Sequence, residues 1–187
     1  METREKTITD AASRVFLRFG VKRTTMNDIA QEAGISRQTL YNAFSNKDDV
    51  LRGLIQVYNA DAVAAIRRDY ESAADLAEKL DVVFEHMIIR PHDLLNSSPH
   101  AQDLLQGMNS MAQDEIALQE AQFPIVIAEA LAAHATALAE VRLTAEQIAN
   151  MIFCASKGAK YHTRTRDEML SVLATIRSTV LHLAKEA

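Results

Sequence analysis

The sequence predicts an all-α protein of about nine helices. Apolar residues return at three- and four-residue intervals through nearly the whole chain, the spacing that puts them on one face of a helix. Only 5 Gly and 3 Pro occur among 187 residues, too few turn formers for a strand-rich fold. With 48% hydrophobic and 24% charged residues, the chain can bury a sizeable core and lacks the composition of a disordered segment.

Ile8, Ala11, Ala12, Val15, Phe16 and Phe19 recur at helical spacing, and Gly20 follows as a C-cap, so a first helix is expected over about 4–19. Thr25 with Asp28 three residues on forms a capping box for a short helix carrying Met26, Ile29, Ala30 and Ala33, which Gly34 ends. Ser36 is the N-cap of a second short helix to about Phe44, with Leu40 and Phe44 one turn apart on its buried edge. Asn46 caps a long helix from Lys47 to about Tyr70 along Val50, Leu51, Leu54, Ile55 and Tyr58. Leu76, Leu80, Val83, Phe84 and Met87 mark a fifth helix that Pro91 is expected to stop, and Ser98 with Pro99 starts another. A helical stretch over about 112–140 contains Pro124, which should kink or split it. Thr144 with Gln147, and Thr165 with Glu168, open two last helices over about 144–161 and 166–185. No repeat, low-complexity run or long linker appears, so any internal boundary falls within the helix 47–70.

Several classes lose their required residues. The single cysteine, Cys154, cannot form an intramolecular disulfide, which suits a cytoplasmic protein; its place in the apolar run 152–155 predicts a buried packing role. Residues 1–20 lack the apolar core of a signal peptide, and the best apolar run, 123–139, contains Glu129 and His134, so no transmembrane helix is expected. His86, His92 and His100 include no i, i+4 pair and no Cys or carboxylate set that would complete a metal site, and no cofactor is expected. A Glu-x-x-His pair for a di-iron bundle, a Gly-x-Ser-x-Gly elbow and a phosphate-binding glycine loop are all missing, so the chain does not read as an enzyme. Net charge is −5, yet residues 1–52 carry +2 (9 Lys/Arg, 7 Asp/Glu) and residues 53–187 carry −7 (11 and 18). That asymmetry permits an anionic partner at the N-terminal end, although a solvated surface produces it equally well.

The two short helices joined through Ala33, Gly34 and Ile35 have the layout of a helix-turn-helix. At 100° per residue Leu40, Ala43 and Phe44 face inward, leaving Gln38, Tyr41 and Asn42 outward, with Arg37 and Thr39 on the flanks. Arg can chelate guanine O6 and N7, Gln can chelate adenine N6 and N7, Thr can touch a thymine methyl, and Tyr and Lys reach phosphates. An ordinary polar helix face has the same spacing.

The stretch TTMNDIAQEAGISRQTLYNAFSNKDDVL, residues 24–51, resembles the DNA-binding segment of the tetracycline-repressor (TetR-like) family of bacterial transcriptional regulators. The likeness lies in the TT start, IAxxAGIS across the turn, TLYxxF on the recognition helix and NKDDVL leading into the fourth helix, and covers roughly residues 6–58. It implies a DNA-binding domain over 1–50 and an effector-binding and dimerisation domain over 51–187, acting as a repressor of a near-palindromic operator. It further implies Arg37, Gln38 and Thr39 at base edges with Asn42 beside them, Tyr41 and Lys47 on phosphates, and Thr25 at a phosphate near the start of the second helix. Ala43 departs from the bulkier polar or aromatic residue of many relatives, which weakens readout there.

Beyond this segment the resemblance extends only to helix order and length. It implies a small apolar or amphipathic effector among the central helices, for which the flexible or aromatic Phe84, Met87, Met108, Met111 and Phe123 are candidates, and a homodimer through the last two helices. Ile148, Met151 and Ile152 form one stripe for that interface and Met169, Leu173, Ile176 and Val180 another, although each residue serves equally well as core. Control by a protein partner in place of a small molecule has the same sequence pattern.

Overall fold

The computed structural model describes residues 3–97, 100, 118 and 120–185, and every regular element among them is helical. The helices are α1 (Thr3–Phe19), α2 (Met26–Glu32), α3 (Arg37–Ala43), α4 (Lys47–Tyr70), α5 (Leu76–Phe84), α6 (Arg90–Asn96), α7 (Gln122–Leu131), α8 (Ala135–Glu140), α9 (Ala145–His162) and α10 (Arg166–Ala184). The chain forms two compact units, one built from 3–61 with 93–97 and the other from 62–92 with 120–185.

In the first unit, α1, α2, α3 and the start of α4 enclose a core of Ile8, Ala12, Phe16, Val21, Ile29, Ala30, Leu40, Phe44, Val50 and Leu51, with Leu54 and Ile55 packed against it. The expected punctuation is present. Gly20 (φ 83°) and Gly34 (φ 66°) adopt the left-handed conformation that reverses the chain after α1 and α2, where a side chain would be strained. Asn46 Oδ1 accepts from Asp49 N–H at 2.9 Å and Asp49 Oδ2 accepts from Ser45 N–H at 2.9 Å, so α4 opens on reciprocal caps.

The second unit is held by one larger core. Leu80, Val83 and Phe84 of α5, Val126, Ile127 and Leu131 of α7, Ile148 and Ile152 of α9, and Met169, Leu173 and Val180 of α10 all contribute to it. Arg67 reaches Glu129 by two hydrogen bonds of 3.1 and 2.8 Å, and Tyr70 O–H donates to Val126 O at 3.2 Å, which ties the last turn of α4 to α7. Both final helices open as expected: Thr144 caps Gln147 N–H at 3.2 Å with Gln147 reciprocating at 2.9 Å, and Thr165 caps Glu168 N–H at 3.1 Å.

Two local expectations are corrected, at Pro91 and Cys154, and the split expected near Pro124 is located. Pro91 does not stop the fifth helix: α5 runs into a wide π-type turn, Glu85–Ile89, and continues as α6 through a buried Pro91. Arg90 N–H donates to Glu85 O, five residues back, so the ladder has already changed register where the proline lacks a donor. The same turn holds the buried His86, whose Nε2 lies 2.8 Å from Asp69 Oδ2 and whose Nδ1 lies 3.2 Å from Arg90. A guanidinium can only donate, so Nδ1 accepts and the ring proton points at Asp69. Near Pro124 the break comes at Ala121, and the proline sits in the first turn of α7, where its missing N–H has no partner to lose. A second break, a 3₁₀ turn over Ala132–His134, had no sequence signal. Gln122–Glu140 is long and apolar enough to cross a membrane (19 residues, mean hydropathy 1.3), but Phe123, Val126, Ile127, Ala130, Leu131 and Leu138 are buried in the core of this unit. Finally, Cys154 is exposed: at 100° per residue it lies far around α9 from the buried Ile152. The helix start expected at Ser98 and Pro99 lies outside the described residues.

The bare backbone of Gly53, midway through the first half of α4, lies under the ring of Phe44. A Cβ at that position would stand 2.6 Å from Phe44 Cε1. Helix propensity alone favours Gly53→Ala by about 1 kcal/mol, whereas overpacking a buried ring costs about 1–3 kcal/mol. Gly53→Ala is therefore expected to lower the thermal midpoint; a variant at least as stable as the parent would show that the ring moves aside without cost.

Candidate nucleic-acid interface

α3 is only seven residues long and relies on its surroundings for shape. Ser36 Oγ accepts from Thr39 N–H at 3.0 Å at its start, Leu40 is fully buried, and Phe44 closes it with its N–H bonded to Leu40 O. With that edge buried, Arg37, Gln38, Tyr41 and Asn42 all face solvent, while Thr39 and Ala43 are half-buried on the flanks. Tyr41 is 44% exposed, a large ring with no core role. Gln38 Nε2 donates to Asn42 Oδ1 at 2.9 Å one turn on, which orients both amides before any partner arrives. Thr39 Oγ1 lies 2.8 Å from Ser36 Oγ.

Two of the expected phosphate-contacting residues are engaged in the fold. Thr25 N–H and Oγ1 both donate to Asp28 Oδ2 at 2.8 Å, while Thr25 Oγ1 accepts from Asp28 N–H at 3.2 Å. The bonds from Thr25 hold the Asp28 carboxyl below its ordinary range. Lys47, at the start of α4, turns its ammonium onto the 21–24 loop, donating to Val21 O at 2.6 Å, Thr24 O at 3.1 Å and Lys22 O at 3.5 Å. That use of Lys47 was not legible in the sequence, because its acceptors lie 23 to 26 residues upstream.

In the second unit Phe84, Met87 and Phe123 are all buried in the common core, and Met108 and Met111 lie outside the described residues. The expected dimer stripes face inward. Ile148, Ile152, Met169, Leu173, Ile176 and Val180 are buried within the single chain and have almost no surface to offer a partner; of the seven, only Met151 is exposed, at 37%. The outward face of α10 instead carries Ser171, Val172, Ala174, Thr175, Ser178 and Thr179, all exposed and all uncharged. Thr175 and Thr179 donate their hydroxyls to carbonyls one turn back at 2.9 and 2.8 Å, which satisfies them without water. The run of small uncharged residues was readable in the sequence; which face it occupied was not. No group of three His, Cys, Asp or Glu suited to a metal occurs among the described residues.

Residues 8–54 match the family model described as bacterial regulatory proteins, tetR family. The HTH-type transcriptional regulator TtgR of Pseudomonas putida is 44% identical over 54 residues, a stretch that spans 29% of this chain and 25% of that protein. The chain thus covers about a quarter of that relative's length. Over nearly the whole chain it has the fold of the fatty acid degradation regulator FadR from Bacillus halodurans (TM-score 0.68, 21% identity, 95% of this chain and 97% of that one). The FadR of Bacillus subtilis, solved in complex with stearoyl-CoA, is similar in fold as well (TM-score 0.64, 19% identity, 97% and 98%).

Removing the Lys47 head leaves carbonyls of the 21–24 loop without their donor, a loss of about 1–3 kcal/mol for a charged hydrogen-bonding group. Lys47→Ala should thus lower the unfolding midpoint in the absence of any nucleic acid. An unchanged midpoint would confine Lys47 to a surface role.

Proposed function

We propose that this chain, which belongs to the tetR family of bacterial regulatory proteins, is a homodimeric, ligand-responsive repressor that binds a near-palindromic DNA operator through α3. The observation that carries the reading is the outward set Arg37, Gln38, Tyr41 and Asn42 on a helix whose opposite edge is buried by Leu40 and Phe44. Gln38 and Arg37 are suited to base edges, Thr39 to a flanking base or sugar, and Tyr41 to phosphate. Asn42 acts first by orienting Gln38. Thr25 and Lys47 act mainly by holding the backbone that surrounds the reading helix, with any phosphate contact secondary. Gln38→Ala should relax sequence preference, at about 1–3 kcal/mol for a lost base contact, and leave binding to random DNA nearly unchanged. Equal losses on specific and random duplexes in a competition assay would remove Gln38 from base readout.

One reading helix spans too few base pairs for useful specificity, which is the argument for two chains on one operator. The uncharged outward face of α10, together with the exposed Met151 of α9, supports a dimer through the last two helices in a revised register. Thr175→Glu places an unpaired charge on that face and should yield a helical monomer that no longer binds operator. An intact dimer in sedimentation would move the interface elsewhere.

The effector is expected in the second unit. The stearoyl-CoA bound by the Bacillus subtilis FadR supports an apolar or amphipathic ligand there. Linkage supplies the test: an effector that releases operator must itself bind more weakly, by the same factor, when operator is present. Effector affinity indifferent to saturating operator would exclude ligand-driven release and favour control by a protein partner.

A further inference from the structure

On α9, Phe153, Ser156, Lys157 and Lys160 fall within two turns on neighbouring positions of one side of the helix, in contact with the start of α7. Each has a feature that packing alone does not explain. Phe153 stacks on Phe123 of α7, with ring centroids 6.3 Å apart and planes at 18°. Lys157 stands over the same Phe153 ring, 5.3 Å from its centroid, and pairs with Glu120. Lys160, half-buried one turn on, lies 5.4 Å from the centre of the Tyr161 ring and has no ion-pair or hydrogen-bond partner among the described residues. Between them Ser156 is fully buried, and its Oγ has no hydrogen-bond partner among the described residues. Among the described residues, two ammonium groups against one carboxylate leave an uncompensated positive charge beside stacked aromatic rings.

A lysine on a helix surface ordinarily extends its head into water, and a buried hydroxyl ordinarily finds an acceptor or donor. Here a second cation sits beside the first and a hydroxyl stays orphaned, an arrangement that costs the folded chain free energy unless an anion completes it. Burial, the largest influence on it, pushes the Lys160 ammonium down to about 8, with Lys157 lowering it further and Glu120 opposing. An anion arriving between Lys157 and Lys160 would reverse that effect.

We propose that the second unit carries a site for an amphipathic anion, in which Lys157 and Lys160 take the anionic head, Ser156 supplies a hydroxyl, and the stacked Phe123 and Phe153 line the path of the apolar chain. The site deepens the effector reading above and rests on it only for its regulatory consequence. A neutral apolar ligand leaves the cationic pair unused, and a small inorganic anion leaves the aromatic pair unused; a long-chain carboxylate or phosphate ester engages both.

The experiment uses the full chain with laurate below its micellar concentration, alongside dodecanol and dodecylamine of equal chain length, in calorimetric titrations. Laurate should bind at least tenfold more tightly than either. Lys160→Met, which removes a half-buried charge and keeps the side-chain length, should fold at least as well as the parent and weaken laurate at least tenfold while leaving dodecanol unchanged. Lys157→Met should do the same to a smaller degree, because it also frees Glu120. As pH rises from 7 to 9, Lys160 loses its proton, so laurate affinity should fall in the parent and stay level in Lys160→Met; Glu120, Lys157 and Tyr161, the other titratable groups at the site among the described residues, are present in both. Equal laurate affinity in parent and Lys160→Met, or equal affinity for laurate and dodecanol in the parent, overturns the site. Should laurate fail to bind while another metabolite binds and releases operator, the site falls and the effector reading stands. Lysine-dependent laurate binding with operator affinity unchanged keeps the site and removes its regulatory role.

Discussion

The contact of the Phe44 ring with the bare backbone of Gly53 is the constraint on which the reading surface depends. A seven-residue helix makes few internal hydrogen bonds, and its own propensity cannot keep it formed. α3 holds its geometry because Leu40 and Phe44 are buried along one edge and the Phe44 ring packs against α4 at Gly53. Only glycine allows the ring that close. Once the edge is fixed, the 100° step leaves Gln38, Tyr41 and Asn42 no direction but outward. Lys47 reinforces the arrangement from the other side, since its ammonium bonds the carbonyls of the loop that leads into α2.

The second unit meets a different demand, which is to bury the larger part of the chain's apolar side chains in one core. α9 and α10 spend Ile148, Ile152, Met169, Leu173, Ile176 and Val180 on it. What remains exposed over residues 171–179 of α10 is uncharged and mostly small, and on α9 it includes Met151 and Cys154. Such a face loses little on desolvation, because its threonine hydroxyls are already bonded to their own helix. The same economy makes the Lys157, Lys160 and Ser156 group conspicuous, since in this unit ion pairs such as Arg67 with Glu129 bring matched partners together.

Charge placement separates the two units as well. In the head, polar side chains near α3 are oriented by short-range bonds such as Gln38 to Asn42 and Thr25 to Asp28. These bonds span three or four residues and form with the helix itself, so the surface is organised before a partner is met. In the second unit the comparable bonds cross between helices, as with His86 and Asp69, and depend on packing.

By itself the sequence determined what depends on neighbours three or four residues apart: the bounds of α1 to α4, the caps at Thr25, Ser36, Asn46, Thr144 and Thr165, the glycine turns at 20 and 34, and the outward face of α3. Capping, left-handed glycine and helical periodicity are local physics, and a single stretch of chain carries all of it. Tertiary structure decided what depends on residues far apart in the chain. It turned the stripes of α9 and α10 inward, because a lone apolar stripe has the same spacing whether it meets its own core or a second chain. It put Cys154 outside, committed Lys47 to carbonyls some two dozen residues upstream, and carried the helix past Pro91 by widening the turn before it. It also brought Phe123 against Phe153, and Glu120 against Lys157, from segments more than 25 residues apart. Periodicity states which residues share a face and is silent on what that face meets.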